Sequence, residues 1–205
     1  MDLNEGLPSG STPLTPEDLE GLLPRYITTK KDLYDAEFKN ISEATNKYLL
    51  SKRRRLLRFD PLSLYRLHKE MFGHVWAWAG KKRTSNKNIG VDKSQIDAEM
   101  KKLADDHAFW LEHGWDPIEI SARLHHRLVK IHPFHNGNGL WARLIANIFL
   151  KESAGSFIRF PEDDLLVATE IRKRYIRVLL AADHSDYGPL IEFHKEFMGP
   201  SSPET

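Results

Sequence analysis

Apolar residues recur every three or four positions over residues 28–198, a period that predicts a succession of amphipathic helices. A clear example is the stripe formed by Leu64, Leu67 and Met71. The stretch at residues 140–154 differs because it is apolar on most sides, which is typical of a helix buried at the centre of a domain. The hydrophobic pattern therefore predicts a helical bundle built around one central helix.

Capping residues and helix breakers mark the boundaries of these helices. Asp60 precedes Pro61 and Asp116 precedes Pro117, so each pair offers a capping side chain followed by a proline in the first helical turn. A glycine, Gly155, closes the central helix. The predicted helices cover about residues 28–55, 60–72, 94–113, 117–131, 140–154, 162–182 and 188–198.

Two segments fall outside the helical pattern. The N-terminal residues are rich in Pro, Gly, Ser and Thr and predict an extended arm, with one short helical turn capped by Thr15. Residues 82–92 follow Trp76 and Trp78, and their polar composition predicts an exposed flap, either a loop or a small β-hairpin. We therefore expect an all-α fold, a helical bundle with a small β-hairpin flap. The expected units are an arm (1–24), the helical domain (25–198) and a tail (199–205).

Composition adds few constraints. The 205 residues are 40% hydrophobic and 29% charged, which fits a globular domain with its own core. The formal net charge of +1 gives no reason to expect nucleic acid or a membrane surface as a partner. The basic stretch at residues 51–58 is either a solvated helix face or a small patch for a phosphate or an acidic partner. Cysteine is absent, which excludes disulfides, thiolate metal sites and a cysteine nucleophile. No apolar run or N-terminal order suggests a membrane span or a signal peptide, so we expect a cytoplasmic protein.

The segment KIHPFHNGNGLWARL, residues 130–144, concentrates glycine, asparagine and histidine at the junction of two predicted helices. The first N–H groups of a helix lack intrahelical acceptors, and glycine lets the backbone approach a ligand closely. The junction is therefore suited to binding phosphate. Arg143 offers a bidentate cationic contact, and His132 offers a base for an attacking hydroxyl. Together these groups predict a phosphoryl- or nucleotidyl-transfer site.

The segment HPFHNGNGLWAR resembles the signature of Fic proteins (filamentation induced by cyclic AMP), which is His-x-Phe-x-Asp/Glu-Gly-Asn-Gly-Arg/Lys-x-x-Arg. The segments FGHVWAWAGKKRTSNKNIG and AADHSDYGPLIEF are similar to the family's flap region and C-terminal part. The N-terminal segment and the asparagine in the motif resemble a small bacterial branch, mobile mystery protein B. The resemblance implies a Fic-type helical bundle that transfers AMP from ATP to a Ser, Thr or Tyr hydroxyl of a target protein.

The resemblance assigns roles by position. His132 would be the base that deprotonates the target hydroxyl, Phe134 a structural anchor of the loop, and Arg143 the contact to the β- and γ-phosphates. The residues that would cradle the ATP phosphates are Gly137, Asn138 and Gly139. The flap residues that would dock the target are Thr84, Ser85 and Asn86.

Two positions depart from the signature. Asn136 stands where the family has an acidic residue that holds Mg²⁺, and its neutral amide oxygen can ligate Mg²⁺ only without the charge. Leu140 stands where the family has its first basic residue, which removes one phosphate contact. The resemblance thus implies ATP as co-substrate and Mg²⁺ as cofactor at a weakened site.

Control of the site is a further expectation from the resemblance. Fic proteins are often inhibited by a glutamate that pairs with the second arginine of the motif. Glu37 is the candidate here, because it falls on the apolar side of its helix, where a carboxylate needs a partner such as Arg143. The alternatives are a surface role for Glu37 and control by a second copy of the chain or a regulatory partner.

Two other function classes stay open. The histidines at positions 125, 126, 132 and 135 suggest a metal-dependent phosphoester hydrolase, including one that removes AMP. Against this, adjacent helical residues point about 100° apart and rarely reach one ion. The other class is a nucleotide-binding regulatory module that is non-catalytic or uses another phosphorylated donor, which the two departures from the signature favour.

Overall fold

The computed structural model of the chain describes residues 10–51 and 56–199. Residues 52–55 of the basic stretch, the first nine residues of the predicted arm and nearly all of the predicted tail lie outside the described residues. In the part of the chain that is described, no helix combines the length and apolar character that a membrane crossing requires.

The described chain is an assembly of helices, and it contains no sheet. The α-helices are α1 (Pro16–Leu19), α2 (Lys30–Thr45), α3 (Pro61–Phe72), α4 (Ile96–Glu112), α5 (Pro117–Ile131), α6 (Asn138–Ala154), α7 (Glu162–Leu166), α8 (Glu170–Asp183) and α9 (Gly188–Glu196). A π-helical turn, Asn46–Leu50, extends α2, and a 3₁₀ turn, Lys93–Gln95, leads into α4. The expected all-α architecture is confirmed.

The helix boundaries follow from capping chemistry. The Asp60 side chain accepts a hydrogen bond from the N–H of Ser63 at the start of α3, and Asp116 accepts from Ile118 at the start of α5. Gly155 ends α6 with a left-handed φ of 67°. The expected bounds of α3 and α5 and the expected end of α6 are therefore confirmed.

The helix α6 lies at the centre of the bundle. Trp141, Ala142 and Ala146 are fully buried, and Ile145 is 1% exposed. The neighbouring helix α5 packs along α6, and α3 lies against it as well. Because both helices that flank the α5–α6 junction are firmly packed, the short loop between them has a fixed base.

The predicted helix at 162–182 is instead two helices. Helix α7 stops at Leu166, Val167 is extended, and Thr169 caps α8 by accepting from the N–H of Arg172. This segment contains no proline or glycine, so the local sequence gave little sign of the break. The break matters because α7 then brings the carboxylate of Glu162 against α6.

The expected β-hairpin is not formed at residues 82–92, which make an irregular loop instead. The guanidinium of Arg83, which is 3% exposed, donates to the backbone carbonyls of Ser85, Val91 and His132. These three carbonyls therefore have hydrogen-bond donors without the N–H groups of a neighbouring strand. The buried arginine therefore organises the flap as a loop.

The N-terminal segment packs on the helical domain. Thr15 caps α1 as expected. Leu14 is buried in the main core, and Leu22 forms an isolated antiparallel bridge with Trp76. The described part of the predicted arm is thus integrated into the folded domain, because its apolar residues are buried by the bundle.

Candidate active site

His132 ends α5 in an unusual backbone conformation. Its φ of 52° lies in the left-handed region, and the residue is 5% exposed. Arg83 holds this conformation by donating from Nε to the His132 carbonyl at 2.7 Å. A glycine is required opposite, because a Cβ on Gly90 would lie 2.6 Å from the Cβ of His132. The flap loop therefore closes over His132.

The loop between α5 and α6 is braced by buried groups. The Asn138 amide accepts from the N–H of Phe134 and donates to its carbonyl, both at 3.0 Å. The buried ring of Phe134 stacks on His68, with ring centroids 3.7 Å apart. Gly80 N–H donates to Nδ1 of His68 at 3.0 Å, so Nε2 carries the proton that it donates to the Asn136 carbonyl at 3.0 Å. Burial lowers the pKa of His68 to about 3, so this neutral brace persists at neutral pH.

Glycines stand at two positions where the loop enters α6, and the first of them cannot carry a Cβ. Gly137 has a φ of 77°, and a Cβ there would lie 2.5 Å from the ring of Phe72. A Cβ on Gly139 would lie 3.2 Å from Nη1 of Arg143. The first N–H groups of α6 have no intrahelical acceptor and carry the positive end of the helix dipole. The two glycines therefore bring this positive helix end next to a guanidinium.

Arg143 is 5% exposed, and its guanidinium is held from two sides. Two bonds reach the Glu162 carboxylate, at 2.8 Å from Nε and 2.5 Å from Nη2. Nη1 donates to the Tyr175 hydroxyl at 3.2 Å. A buried chain continues from this hydroxyl to Nε2 of His125 at 2.9 Å, and from Nδ1 of His125 to His194 at 3.0 Å. This network fixes the orientation of the guanidinium.

One cavity of about 660 Å³ joins these groups. It is lined by His132, residues 136–140 and Arg143, by Arg172 on α8, and by Thr12 of the N-terminal segment. This volume lies in the range of sites that hold small molecules. A helix N-terminus with two arginine side chains suits a ligand rich in phosphate.

His132 has the protonation state of a base at neutral pH. Burial, followed by the positive charge of Arg83, lowers its pKa to about 4, while the backbone of Val129 acts in the opposite direction. Nε2 of this neutral imidazole lies 3.1 Å from Oγ1 of Thr12. In the tautomer with its proton on Nδ1, Nε2 accepts a hydrogen bond from the Thr12 hydroxyl, which is the arrangement that a general base requires.

Residues 58–150, which include His132 and Arg143, match the model of the Fic/DOC family. Residues 58–150 form a Fic/DOC domain. Protein adenylyltransferase fic-1 of Caenorhabditis elegans is 29% identical over 154 residues, 71% of this chain and 28% of that protein. Protein adenylyltransferase Fic of Nematostella vectensis is 30% identical over 132 residues, 62% of this chain and 29% of that protein. The chain therefore spans less than a third of the length of these curated relatives.

Solved structures share the fold beyond the matched segment. BepC of Bartonella tribocorum, with bound AMPPNP, has a TM-score of 0.68 at 18% identity, covering 97% of this chain and 98% of BepC. The N-terminal Fic domain of a Bep effector from Bartonella quintana, with bound ADP, has a TM-score of 0.66 at 21% identity. It covers 87% of this chain and 90% of that one. At these identities the likeness establishes the fold of the Fic/DOC domain.

The Fic/DOC domain brings most of the expected motif residues to one cavity. The expected base, His132, both expected glycines and Arg143 all line it. The side chain of Asn138 is instead used inside the loop, where it bonds to Phe134, so it is not available to a phosphate. Phe134 is fully buried, as a structural anchor would be.

The expected docking residues of the flap lie away from the cavity. Its lining in the described chain comes from residues 89–91 of the flap, and Thr84, Ser85 and Asn86 are not part of it. The Asn86 amide is used within the loop, where it donates to Asp92 at 2.7 Å. A docking role for the three residues stays a prediction.

The expected ion pair between Glu37 and Arg143 is not formed. Glu37 accepts a hydrogen bond at 2.6 Å from Nε1 of Trp76, and Glu162 occupies the guanidinium. The reason is that a buried indole N–H needs an acceptor, and Trp76 is 1% exposed. Burial raises the pKa of Glu37 to about 7, against the opposing effect of the indole bond. The glutamate that contacts Arg143 comes from α7, not α2.

The described residues form no metal site built from protein side chains alone. Oδ1 of Asn136 already accepts from the N–H of Gly137 at 2.7 Å. Across residues 10–51 and 56–199, no three His, Asp or Glu side chains form a group that could hold a metal ion. A weak Mg²⁺ role for Asn136, beside the phosphates of a bound nucleotide, stays a prediction.

The four histidines that suggested a metal centre face different partners. Those partners are His194 and Tyr175 for His125, Asp183 and Tyr187 for His126, Thr12 for His132, and Asp18 for His135. Because these hydrogen bonds go to separate groups, the four side chains do not converge on one point. The metal-hydrolase interpretation has no geometric basis among the described residues.

Three functional candidates were not found from the sequence. Arg172 supplies a second guanidinium to the cavity, although nothing in its local sequence marks it. Gly90 makes room for His132, and its place in the glycine-broken flap was a usable signal. Thr12 lies in a segment interpreted as an arm, and its contact with His132 spans 120 positions of sequence.

Proposed function

We propose that this domain transfers AMP from ATP to a hydroxyl group of a protein. The observation that carries the proposal is the neutral His132, whose Nε2 lies 3.1 Å from a hydroxyl in the same cavity as the start of α6 and Arg143. Two findings support it: relatives named protein adenylyltransferase, and adenine nucleotides bound by the similar Bartonella proteins. Because the chain spans only part of those relatives, the proposal concerns this domain.

In the proposed reaction, the target hydroxyl oxygen attacks the α-phosphorus of ATP, and its proton passes to Nε2 of His132. A bond forms between that oxygen and the α-phosphorus. The bond between the α-phosphorus and the oxygen that bridges to the β-phosphate breaks, and pyrophosphate leaves with the electron pair. Base catalysis of this kind contributes about a hundredfold to ten-thousandfold in rate.

The phosphates of ATP would lie at the start of α6. Gly137 and Gly139 keep this approach clear of Cβ atoms, and Arg143 would hold the β- and γ-phosphates. Leu140 removes the other cation of the signature, and Arg172 places a guanidinium in the same cavity by another route. No step of the proposed reaction depends on a metal ion held by this chain.

Finer expectations belong to the same proposal. A target protein with a hydroxyl side chain would dock on the flap at Thr84–Asn86. A second copy of the chain or a regulatory partner would control access to the site. Membership of the mobile mystery protein B branch and a cytoplasmic location stay predictions from the sequence.

The second candidate is a nucleotide-binding module without catalysis. The observation that favours it is the carboxylate of Glu162 on Arg143, where a phosphate would otherwise bind. Asn136 and Leu140, in place of charged residues, also weaken the nucleotide site. Such a module would bind ATP without releasing pyrophosphate.

Parallel incubations of the chain and a cell lysate with ATP labelled at the α- or the γ-phosphate separate these candidates. AMP transfer predicts that protein is labelled from the α-phosphate only. Label from the γ-phosphate only would replace AMP transfer with a kinase-like reaction. ATP binding with no label from either position would favour the binding module.

A further inference from the structure

The N-terminal residues 10–12 cross the cavity beside the proposed base. The Ser11 carbonyl accepts from Nδ2 of Asn88 at 3.0 Å, and the Thr12 carbonyl accepts from Nδ2 of Asn136 at 3.4 Å. These two bonds tie the segment to the flap on one side and to the motif loop on the other. The Thr12 hydroxyl then lies 3.1 Å from Nε2 of His132. The segment therefore runs where a target peptide of the proposed reaction would have to lie.

This placement is secured by a buried anchor in α1. Asp18 is 1% exposed, and its two carboxylate oxygens lie 2.5 Å from Nδ1 of His135 and 2.5 Å from Nζ of Lys87. His135 belongs to the motif loop and Lys87 to the flap. Leu14, two residues after Thr12, is buried in the main core. The chain that follows Thr12 is thus held to the core by Leu14, and to the motif loop and the flap by Asp18, through contacts that are buried.

The segment also fits closely at its other end. Gly10 has a φ of 74°, and a Cβ there would lie 3.0 Å from Cδ1 of Ile176 on α8. Ser11 Oγ accepts from Nη2 of Arg172 at 3.1 Å. These contacts to α8 fix the direction in which residues 10–12 cross the cavity. The volume of about 660 Å³ remains with the segment in place, so the segment and a nucleotide do not compete for all of the same space.

Among the hydroxyls that line the cavity in the described chain, Thr12 is set apart by its partner. The Ser11 hydroxyl accepts from Arg172, and the Tyr175 hydroxyl bonds to Arg143 and His125. Tyr34 also lines the cavity, but its hydroxyl makes no hydrogen bond to the ring of His132. Thr12 instead faces the nitrogen that would accept a proton. A hydroxyl already in hydrogen-bond contact with its base needs no further approach to begin the reaction.

We propose that Thr12 is an acceptor of the adenylyl group, so that the domain modifies its own N-terminal segment. The inference rests on the proposed AMP transfer. Thr12 Oγ1 forms a bond to the α-phosphorus of ATP, and its proton passes to Nε2 of His132. The bond from the α-phosphorus to the β-bridging oxygen breaks, and pyrophosphate leaves. Because the segment belongs to the same chain, the reaction is intramolecular and adds one adenylyl group per chain at this site.

The test combines intact mass, peptide mapping and dilution. The chain is incubated with unlabelled ATP, and the mass gained and the modified residue are identified by mass spectrometry. Thr12→Val removes the hydroxyl at nearly constant volume, Thr12→Ser keeps it, and Thr28→Val is the matched control outside the cavity. Thermal unfolding of each variant establishes that it is folded. In parallel, wild type is incubated with a cell lysate and ATP labelled at the α-phosphate, which measures transfer to other proteins.

The expected result is one adenylyl group on Thr12, lost in Thr12→Val and retained in Thr12→Ser and Thr28→Val. The rate per chain should not change on dilution, because no second molecule takes part. Lysate labelling without modification of Thr12, modification at another residue, or a rate that rises with chain concentration would overturn the inference and leave AMP transfer standing. Absence of added mass on the chain together with absence of label in the lysate would reject the AMP transfer itself, and the inference with it.

Discussion

At the scale of single residues, the contact that most limits nucleotide binding is the one between Arg143 and Glu162. The carboxylate makes two short bonds to a guanidinium that is otherwise buried, while its own side chain is 40% exposed. A phosphate that binds Arg143 has to displace this carboxylate. The wild-type site is therefore expected to bind ATP less tightly than the same site without the charge of Glu162.

Glu162→Gln should raise ATP affinity by about tenfold or less, since a partly exposed pair contributes roughly 1 kcal/mol or less. Asp163→Asn, one residue along in α7, is the matched control for the loss of a carboxylate. Isothermal titration calorimetry of wild type and both variants measures the effect. Equal affinities for wild type and Glu162→Gln would mean that the carboxylate does not compete with the nucleotide.

The identities of the motif residues could be predicted from the sequence, but their partners could not. The spacing of His132, the glycines and Arg143 within one short segment predicted a shared site, because local chain geometry keeps them close. The contact of Glu162 with Arg143 depends on the break between α7 and α8. The contact of Glu37 with Trp76 depends on how α2 packs. Such contacts arise from tertiary packing, which residue spacing does not encode.

At the scale of elements, the four-residue helix α1 holds two parts of the site together. Its Asp18 joins the motif loop to the flap through His135 and Lys87. The side chains of Asp18 and Lys87 are 1% and 4% exposed, so neither charge has water as a ready substitute partner. Loss of this anchor should loosen the N-terminal segment and the flap together.

Asp18→Asn should lower the free energy of unfolding by roughly 3–5 kcal/mol, because it leaves a buried lysine without its carboxylate. Adding Lys87→Met should recover part of the loss, since the unpaired charge is then removed. Denaturant unfolding of wild type, Asp18→Asn and the double variant measures both effects. A loss below about 1 kcal/mol for Asp18→Asn would show that the anchor contributes little.

At the scale of elements, some helix ends were predictable because capping residues mark them. The bounds of α3 and α5 follow from the caps Asp60 and Asp116. The flap has no such capping residues. Its loop form results from the buried Arg83, which donates to carbonyls of the flap and of His132. Those carbonyls come together only in the folded chain, so the sequence did not indicate this role. Local signals therefore fixed helix ends but not the structure of the flap.

At the scale of the whole molecule, buried histidines make the fold sensitive to acid. Burial lowers the pKa of His68 and His194 to about 3, and that of His107 and His132 to about 4, from an ordinary value of 6.5. Between these values the unfolded chain binds more protons than the folded chain. The contribution of these neutral histidines to the free energy of unfolding is therefore expected to be complete above about pH 6.5. It should be lost as the pH falls through 4 toward 3. Urea unfolding across this range measures the trend, and a flat profile would contradict it.

Glu37 contributes with the opposite sign. Burial raises its pKa from 4.5 to about 7, so the folded chain binds the extra proton between these values. The stability that its protonated form contributes is present below about pH 4.5 and is lost as the pH rises through 7. Glu37→Gln should remove this loss on the neutral side while leaving the acid side unchanged. The same urea series checks this, and identical profiles for wild type and variant would contradict it.

The central claim is that His132 acts as the base in AMP transfer and does not hold the nucleotide. The most direct test compares ATP affinity and transfer rate in wild type, His132→Ala and His132→Asn, the last suited to the left-handed backbone. His184→Ala, at an exposed histidine, is the control. The account predicts near-normal ATP affinity with transfer reduced by about a hundredfold or more in both variants. Near-normal transfer in either folded variant would contradict it.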